Sequence, residues 1–384
     1  IVSTYYPGEK YALSDFGGVQ DRLPRSKFEV HVFWFIDKNE QQSWRTEFFK
    51  PYQEQPGDQT FVFDGSETEW LQRAHETIAD LELDVLLYLD VATSSMTHRL
   101  AMARLAHVQA VGHSHPVTSG ISKSVMNYFI SWAAAELPSA SKHYTESLVL
   151  LPGDSMHNFY TPRVAQGTSR IDGMPFQHIT RRHFMAIAPI DARWYLCMAK
   201  PFKRQPEFDD MLRQILTGDL KAQLLLHDVE GTAIRHAYVE RLKRAKVNVS
   251  RVRFVPVQPH HRLMALYMLS DVVLDSYPTC GYITTREALE VGVPVVTLPG
   301  KYLGSRWALA YYSIMGMSEL IAQDPADYVR LAIAVASNQD GLGQHIRKSI
   351  SENVHKLFSS QAAVNEWANV LQRIARRSGR GTET

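Results

Sequence analysis

With 384 residues, 45% hydrophobic and 21% charged, the chain has the composition of an ordinary globular protein and is long enough for two domains of about 150 residues each. A formal charge of +1 gives no reason to expect nucleic acid or an anionic membrane as the main partner. No apolar run reaches the roughly 18 residues of a membrane helix, and two cysteines far apart, Cys197 and Cys280, make no disulfide framework, so a cytoplasmic, reducing compartment is expected.

The chain opens at Ile1 rather than Met, inside a strand (IVS), which is compatible with a leader or an upstream domain having been removed. Apolar, β-branched runs then predict strands at 28–35, 59–63, 84–90, 107–112 and 128–131. Between them Glu67 to Leu81 predicts a helix, with Trp70, Leu71, Ala74, Ile78 and Leu81 on one face, and Met96 to Leu105 a second. Residues 152–192 are rich in Gly, Pro, Arg and His without clean periodicity and read as a linker. From Arg193 the pattern restarts, with strands at 194–199, 222–227, 252–257, 271–276 and 293–298. Helices near 206–217, 232–246, 260–269, 284–291 and 303–315 alternate with them. Continuous apolar strands alternating with amphipathic helices predict an α/β fold of two doubly wound parallel sheets, with ligands bound at the strand carboxyl ends, in a cleft between the halves.

The most informative stretch is DVVLDSYPTCGYITTREALEVGVPVVTLPG, residues 271–300. A buried strand ends at Asp275, a loop with Pro278 and Gly281 follows, and a helix opens at Thr284–Thr285 and stops against Gly292. A helix start offers free N–H groups and the positive end of a dipole, which suits a diphosphate; the two threonines add hydroxyl donors. Glu287, in the first turn, suits a ribose diol. The same Thr284-x-x-Glu287 spacing also reads as a capping box, which stabilises a helix end without any ligand. There is no G-x-G-x-x-G after a first strand and no G-x-x-x-x-G-K-[ST], which argues against a nicotinamide oxidoreductase and a P-loop NTPase. Among the 16 histidines the only close spacings are His113-x-His115 and His260-His261, neither with a third ligand nearby, so no metal site is expected.

Residues 251–337 resemble the donor half of the O-linked N-acetylglucosamine transferase family and its bacterial relatives, in the blocks VVLDS, CGYITTREAL, GVPVVTLPG and YLGSRWALAYYSIMG. RLAHVQAVGHSHPVTSG (104–120) and AKPFKRQPEFDDMLRQIL (199–216) resemble two further family blocks, in the family's order. The resemblance implies the GT-B architecture, two Rossmann-like domains facing a central cleft: an acceptor-side domain over 1–185, a nucleotide-sugar domain over 186–360, and a C-terminal helix and frayed tail over 361–384. It also implies residue roles. Lys203 matches the lysine that neutralises the donor's phosphates, Thr284 and Thr285 the phosphate-binding threonines, and Glu287 the acidic residue that holds the ribose. Gln258 and His260 lie in the segment that edges the base, while His115 and Thr118 lie in the loop facing donor sugar and acceptor. The sequence departs from the family in two places. Where the family carries an early histidine this chain has Glu9, Lys10 or Tyr11, and the histidine that packs on the base appears as Leu263. With no early histidine, Asp90 at a strand end and Glu9 are the candidate bases for the acceptor's proton.

The expected function is therefore a metal-independent inverting glycosyltransferase. It would move a sugar, N-acetylglucosamine first, from a UDP-sugar to a protein or peptide acceptor, with no cofactor. Two alternatives stand beside it: a nucleotide-sugar-binding module without transfer activity, and a UDP-glucose-dependent protein glucosyltransferase.

Overall fold

The computed structural model describes residues 2–4, 11–36, 56–64, 67–91, 95–112, 117–164, 170–171, 173–228 and 231–377. The chain divides into two compact units, Ile1–Thr161 with Phe358–Thr384, and Pro162–Leu357.

The first unit holds strands β1 (Val2–Thr4), β2 (His31–Ile36), β3 (Gln59–Asp64), β4 (Val85–Tyr88), β5 (Val108–Gly112), β6 (Tyr128–Trp132) and β7 (Ser147–Leu151), with helices α1 (Tyr11–Gln20), α2 (Glu67–Asp80) and α3 (Ser95–Ala101). All neighbouring strands are parallel, in the order β3-β2-β1-β4-β5-β6-β7. Every residue of β5 is buried, as expected of a central strand covered on both faces. The α2 face legible in the sequence is the packed one, with Trp70, Ala74 and Ile78 buried. β7 is an edge strand with only Val149 and Leu151 buried; its apolar run Leu148–Leu151 adds a strand to those expected from the sequence.

The second unit begins with a small antiparallel hairpin, β8 (Arg170–Ile171) and β9 (Met174–Pro175), and then winds a five-stranded parallel sheet. Its strands are β10 (Arg193–Cys197), β11 (Ala222–His227), β12 (Val252–Val255), β13 (Val272–Leu274) and β14 (Val295–Val296), ordered β12-β11-β10-β13-β14. Helices α4 (Pro206–Gly218), α5 (Thr232–Arg244), α6 (His260–Leu269), α7 (Ile283–Glu290), α8 (Trp307–Met315), α9 (Pro325–Ala336) and α10 (Leu342–Asn353) surround it. In both sheets the first and fourth strands are neighbours and the order reverses between them. This is the doubly wound Rossmann arrangement, with its topological switch point there. Two parallel Rossmann-like units are the architecture of GT-B glycosyltransferases. Among the described residues no helix is long and apolar enough to cross a membrane.

The division differs from the expected 1–185, 186–360 and 361–384 for two physical reasons. The chain passes to the second unit at Pro162, because the amides of Arg163 and Val164 both donate to Glu290 Oε1 at 2.6 Å and Arg181 donates to Leu269 O and Asp271 Oδ2. The C-terminal helix Gln361–Ala375 belongs to the first unit: its Trp367 indole N–H donates to His157 O at 2.7 Å and Asn158 Oδ1 at 2.9 Å.

Candidate functional site

The second unit's chemistry collects where β10 and β13 end side by side, in register as Tyr195 opposite Val272 and Leu196 opposite Val273. After β10 a short 3₁₀ turn, Pro201–Lys203, carries Lys203, half-buried, with its ammonium donating to Cys280 O at 3.2 Å. The turn is pinned from behind. Arg204 is fully buried and donates to His227 O at 3.0 Å, while Arg241, paired with Asp209 at 2.7 Å, donates to Arg204 O at 2.6 Å.

After β13 the chain runs from Asp275 through a cis Tyr277–Pro278 bond to Gly281 and into α7. The Gly281 amide donates to Asp275 Oδ1 at 2.6 Å, and the Thr297 hydroxyl from beyond β14 donates to Oδ2 at 2.8 Å. Gly281 is there because nothing larger fits: a Cβ would stand 2.5 Å from Thr285 Oγ1 and 2.6 Å from Thr284 Oγ1. Both threonine hydroxyls therefore sit against the loop, over the first turn of α7, whose amides have no carbonyl of their own helix to meet. The capping-box reading of Thr284-x-x-Glu287 is not what the helix uses. Its N-cap is Tyr282, without a side-chain cap, and Glu287 bonds elsewhere.

Glu287 is 4% exposed and accepts from His260 Nε2 at 2.8 Å, while Arg163 Nη1 pairs with it at 3.0 Å. One turn along α7, Glu290 receives the amides of Arg163 and Val164, and burial raises its carboxyl above the ordinary range. The acidic face of α7 is thus engaged by the first residues of the second unit. Sequence reasoning could not reach Arg163, which lies 127 residues from Glu290 and carries no motif. His260 opens α6, while Gln258, two residues earlier, turns its amide to Pro256 O at 3.0 Å.

In the first unit, Asp90 stands just past β4, its carbonyl accepting from the Thr97 hydroxyl at 3.3 Å. Thr118 lies in the loop after β5 and is held by a residue the sequence did not flag, Glu146, to which its hydroxyl donates at 2.7 Å. Glu146 also accepts from the Ser119 amide at 2.8 Å and bonds the Ser119 hydroxyl. Glu9 and His115 lie outside the described residues. Lys203, Thr284, Thr285, Glu287 and His260 are brought together around α7; Gln258 shares only the loop leading into α6. Among the described residues no group of three or more His, Cys, Asp or Glu side chains is placed to hold a metal ion.

A family model described as glycosyl transferase family 41 matches residues 163–367. The chain is 26% identical over 289 residues to the Petunia hybrida protein described as "Probable UDP-N-acetylglucosamine--peptide N-acetylglucosaminyltransferase SPINDLY", covering 74% of this chain but only 29% of the relative. It is 32% identical over 158 residues to a UDP-N-acetylglucosamine--peptide N-acetylglucosaminyltransferase of Caenorhabditis elegans, covering 40% of this chain and 13% of that one. Among solved structures, a Thermobaculum terrenum O-GlcNAc transferase superposes with a TM-score of 0.72 at 21% identity, covering 94% of this chain and 64% of that one. Anabaena HepE, solved with UDP and glucose, superposes with a TM-score of 0.60 at 12% identity, covering 97% of this chain and 99% of that one; both are likenesses of fold.

Proposed function

Since the chain belongs to glycosyl transferase family 41, we propose that it is an inverting glycosyltransferase that uses a UDP-sugar and needs no metal. N-acetylglucosamine is the leading sugar and a protein or peptide the acceptor. The observation that carries this reading is the gathering of Lys203, Thr284 and Thr285 around Gly281 at the opening of α7, on the switch point of the sheet. An acceptor oxygen attacking the anomeric carbon breaks the bond to the diphosphate, and negative charge grows on the leaving phosphate. An ammonium and a helix N-terminus aimed at that charge stabilise it without Lewis-acid help. Glu287 takes the ribose diol, sharing it with or yielding it from Arg163 and His260. Asp90 and Glu9 are the two candidates for receiving the acceptor's proton.

The test is a thermal-shift screen against UDP, GDP, CDP, ADP and their sugar conjugates, followed by product analysis. A UDP compound at about 100 times its dissociation constant should stabilise the protein by roughly 2.7 kcal/mol. Transferred sugar in the products supports the enzyme. An unchanged donor despite binding leaves a binding module, and transfer from UDP-glucose alone makes glucose the donor sugar. No shift with any nucleotide sinks the reading.

The glycine supplies a sharper check. Gly281→Ala forces its new methyl against two hydroxyls, an overpacking of about 1–3 kcal/mol that the site must absorb by moving Thr284 and Thr285. UDP affinity should fall about tenfold to a hundredfold, read by calorimetry, with secondary structure unchanged.

A further inference from the structure

Asp275 is a buried carboxylate in an odd position. It is 4% exposed, and among the described residues no cation bonds its carboxylate; its donors are neutral, the Gly281 and Ser276 amides and the Thr297 hydroxyl. Lys203 acts on it through space while its ammonium turns to Cys280 O. An ionised group so placed is costly to fold around, and a neutral side chain of the same shape would serve packing as well.

What the charge does is visible in one peptide group. The Cys280–Gly281 peptide offers its N–H to Asp275 and its C=O to Lys203, so the carboxylate fixes the plane that fixes the lysine. The same glycine bears the two threonine hydroxyls, which approach it more closely than any Cβ would allow. We propose that Asp275 is the positioning residue of the diphosphate cradle: its ionised carboxylate holds the 280–281 peptide, and through it Lys203, Thr284 and Thr285, in the geometry that binds the donor. This rests on the donor-site reading above.

Protonation should therefore loosen the cradle. The groups facing Asp275 are Cys197 from β10, Lys203 from the turn before α4, Cys280 and the Ser276 amide from its own loop, Thr297 from beyond β14, Tyr312 from α8 and Tyr328 from α9, whose hydroxyl donates to Asp275 O at 2.8 Å. Burial pushes both thiols and both phenols up, away from the neutral range. Burial also lifts the Asp275 carboxyl from 3.8 to about 6, against the pull of Gly281, Thr297 and Lys203.

The experiment measures the dissociation constant of UDP-N-acetylglucosamine, whose phosphodiesters do not titrate here, between pH 5 and 8 in wild type and Asp275→Asn. Melting temperatures are taken alongside. Wild-type affinity should be flat above pH 7 and fall below about pH 6 towards the level of the variant, a loss of about tenfold in all. At pH 7.5 Asp275→Asn should bind about tenfold more weakly, lack that step, and melt no lower than wild type. Because the folded carboxyl is held above its ordinary 3.8, wild type loses stability relative to the variant as pH rises from about 4 to about 6 and keeps that deficit above. The pH step is read as the difference between the two proteins, so whatever they share drops out. Equal affinity in the variant, affinity and melting temperature falling together, or wild-type binding that stays level or tightens below pH 6 would each overturn the proposal. Wild type binding no UDP compound at any pH would overturn the donor site itself, a result distinct from all three.

Discussion

Lys203→Ala is expected to slow sugar transfer about 100- to 1,000-fold, while the Michaelis constant for the UDP-sugar rises far less. The magnitude is that of removing one preorganised donor aimed at developing charge, about 2.7–4 kcal/mol. Two observations justify placing Lys203 in that class. Its ammonium is held over the opening of α7 by Cys280 O at 3.2 Å, and the turn that carries it is fixed from behind by Arg204 and Arg241. The site thus needs no reorganisation at the moment charge appears on the leaving phosphate. The split between the two constants follows from the proposed donor site: there Thr284, Thr285 and the first-turn amides would still meet the ground-state diphosphate when the ammonium is gone. Steady-state kinetics with a peptide acceptor decides it, and a raised Michaelis constant with unchanged turnover would assign Lys203 to ground-state binding alone. Lys203→Arg should not restore the rate, since a planar fork cannot put a point charge where a compact ammonium stood.

Much of this was legible in the sequence because the candidate donor-site residues lie close together along the chain. Residues 271–300 run strand, loop and helix without interruption, so the Thr284–Thr285 pair and Glu287 could be placed on a helix start before any coordinates, and Lys203 by its resemblance to a family block. The buried strands were equally plain, since covering both faces of a sheet demands unbroken apolar runs such as Trp194–Cys197. What escaped was long-range and polar. Nothing in the neighbourhood of Arg163 announces that its backbone seals Glu290 and its side chain Glu287. Asp275 was visible as a strand end, but not as the acceptor that aligns a peptide six residues on. Glu146, holding the Thr118–Ser119 loop across 27 residues, is the same kind of case. Such contacts leave no periodicity, because one carboxylate in the right place serves whatever its neighbours in sequence are. The ambiguous capping box shows the converse: Thr284-x-x-Glu287 is a local pattern, and local pattern alone could not decide between a cap and a ligand site.

The C-terminal helix gives the second large effect, on stability rather than chemistry. Trp367→Ala should lower the melting temperature of the first unit by about 10 °C or more, from a loss of about 3–5 kcal/mol for a large buried aromatic in a unit of this size. Trp367 is fully buried, stands edge-on to Phe16 of α1 at 4.8 Å between ring centroids, and donates its indole N–H to His157 O and Asn158 Oδ1. Tyr160 and His157 complete that cluster through a 2.9 Å contact, so truncation opens a cavity and strips two acceptors together. Trp367→Phe should lose less, keeping most of the packing and forfeiting the hydrogen bonds. Calorimetry on both variants separates the two contributions. A helix that were merely a tail appended over 361–384 would tolerate either change with a shift of a degree or two. The larger loss is expected because residues 358–377, although last in the chain, complete the hydrophobic interior of the unit that begins it.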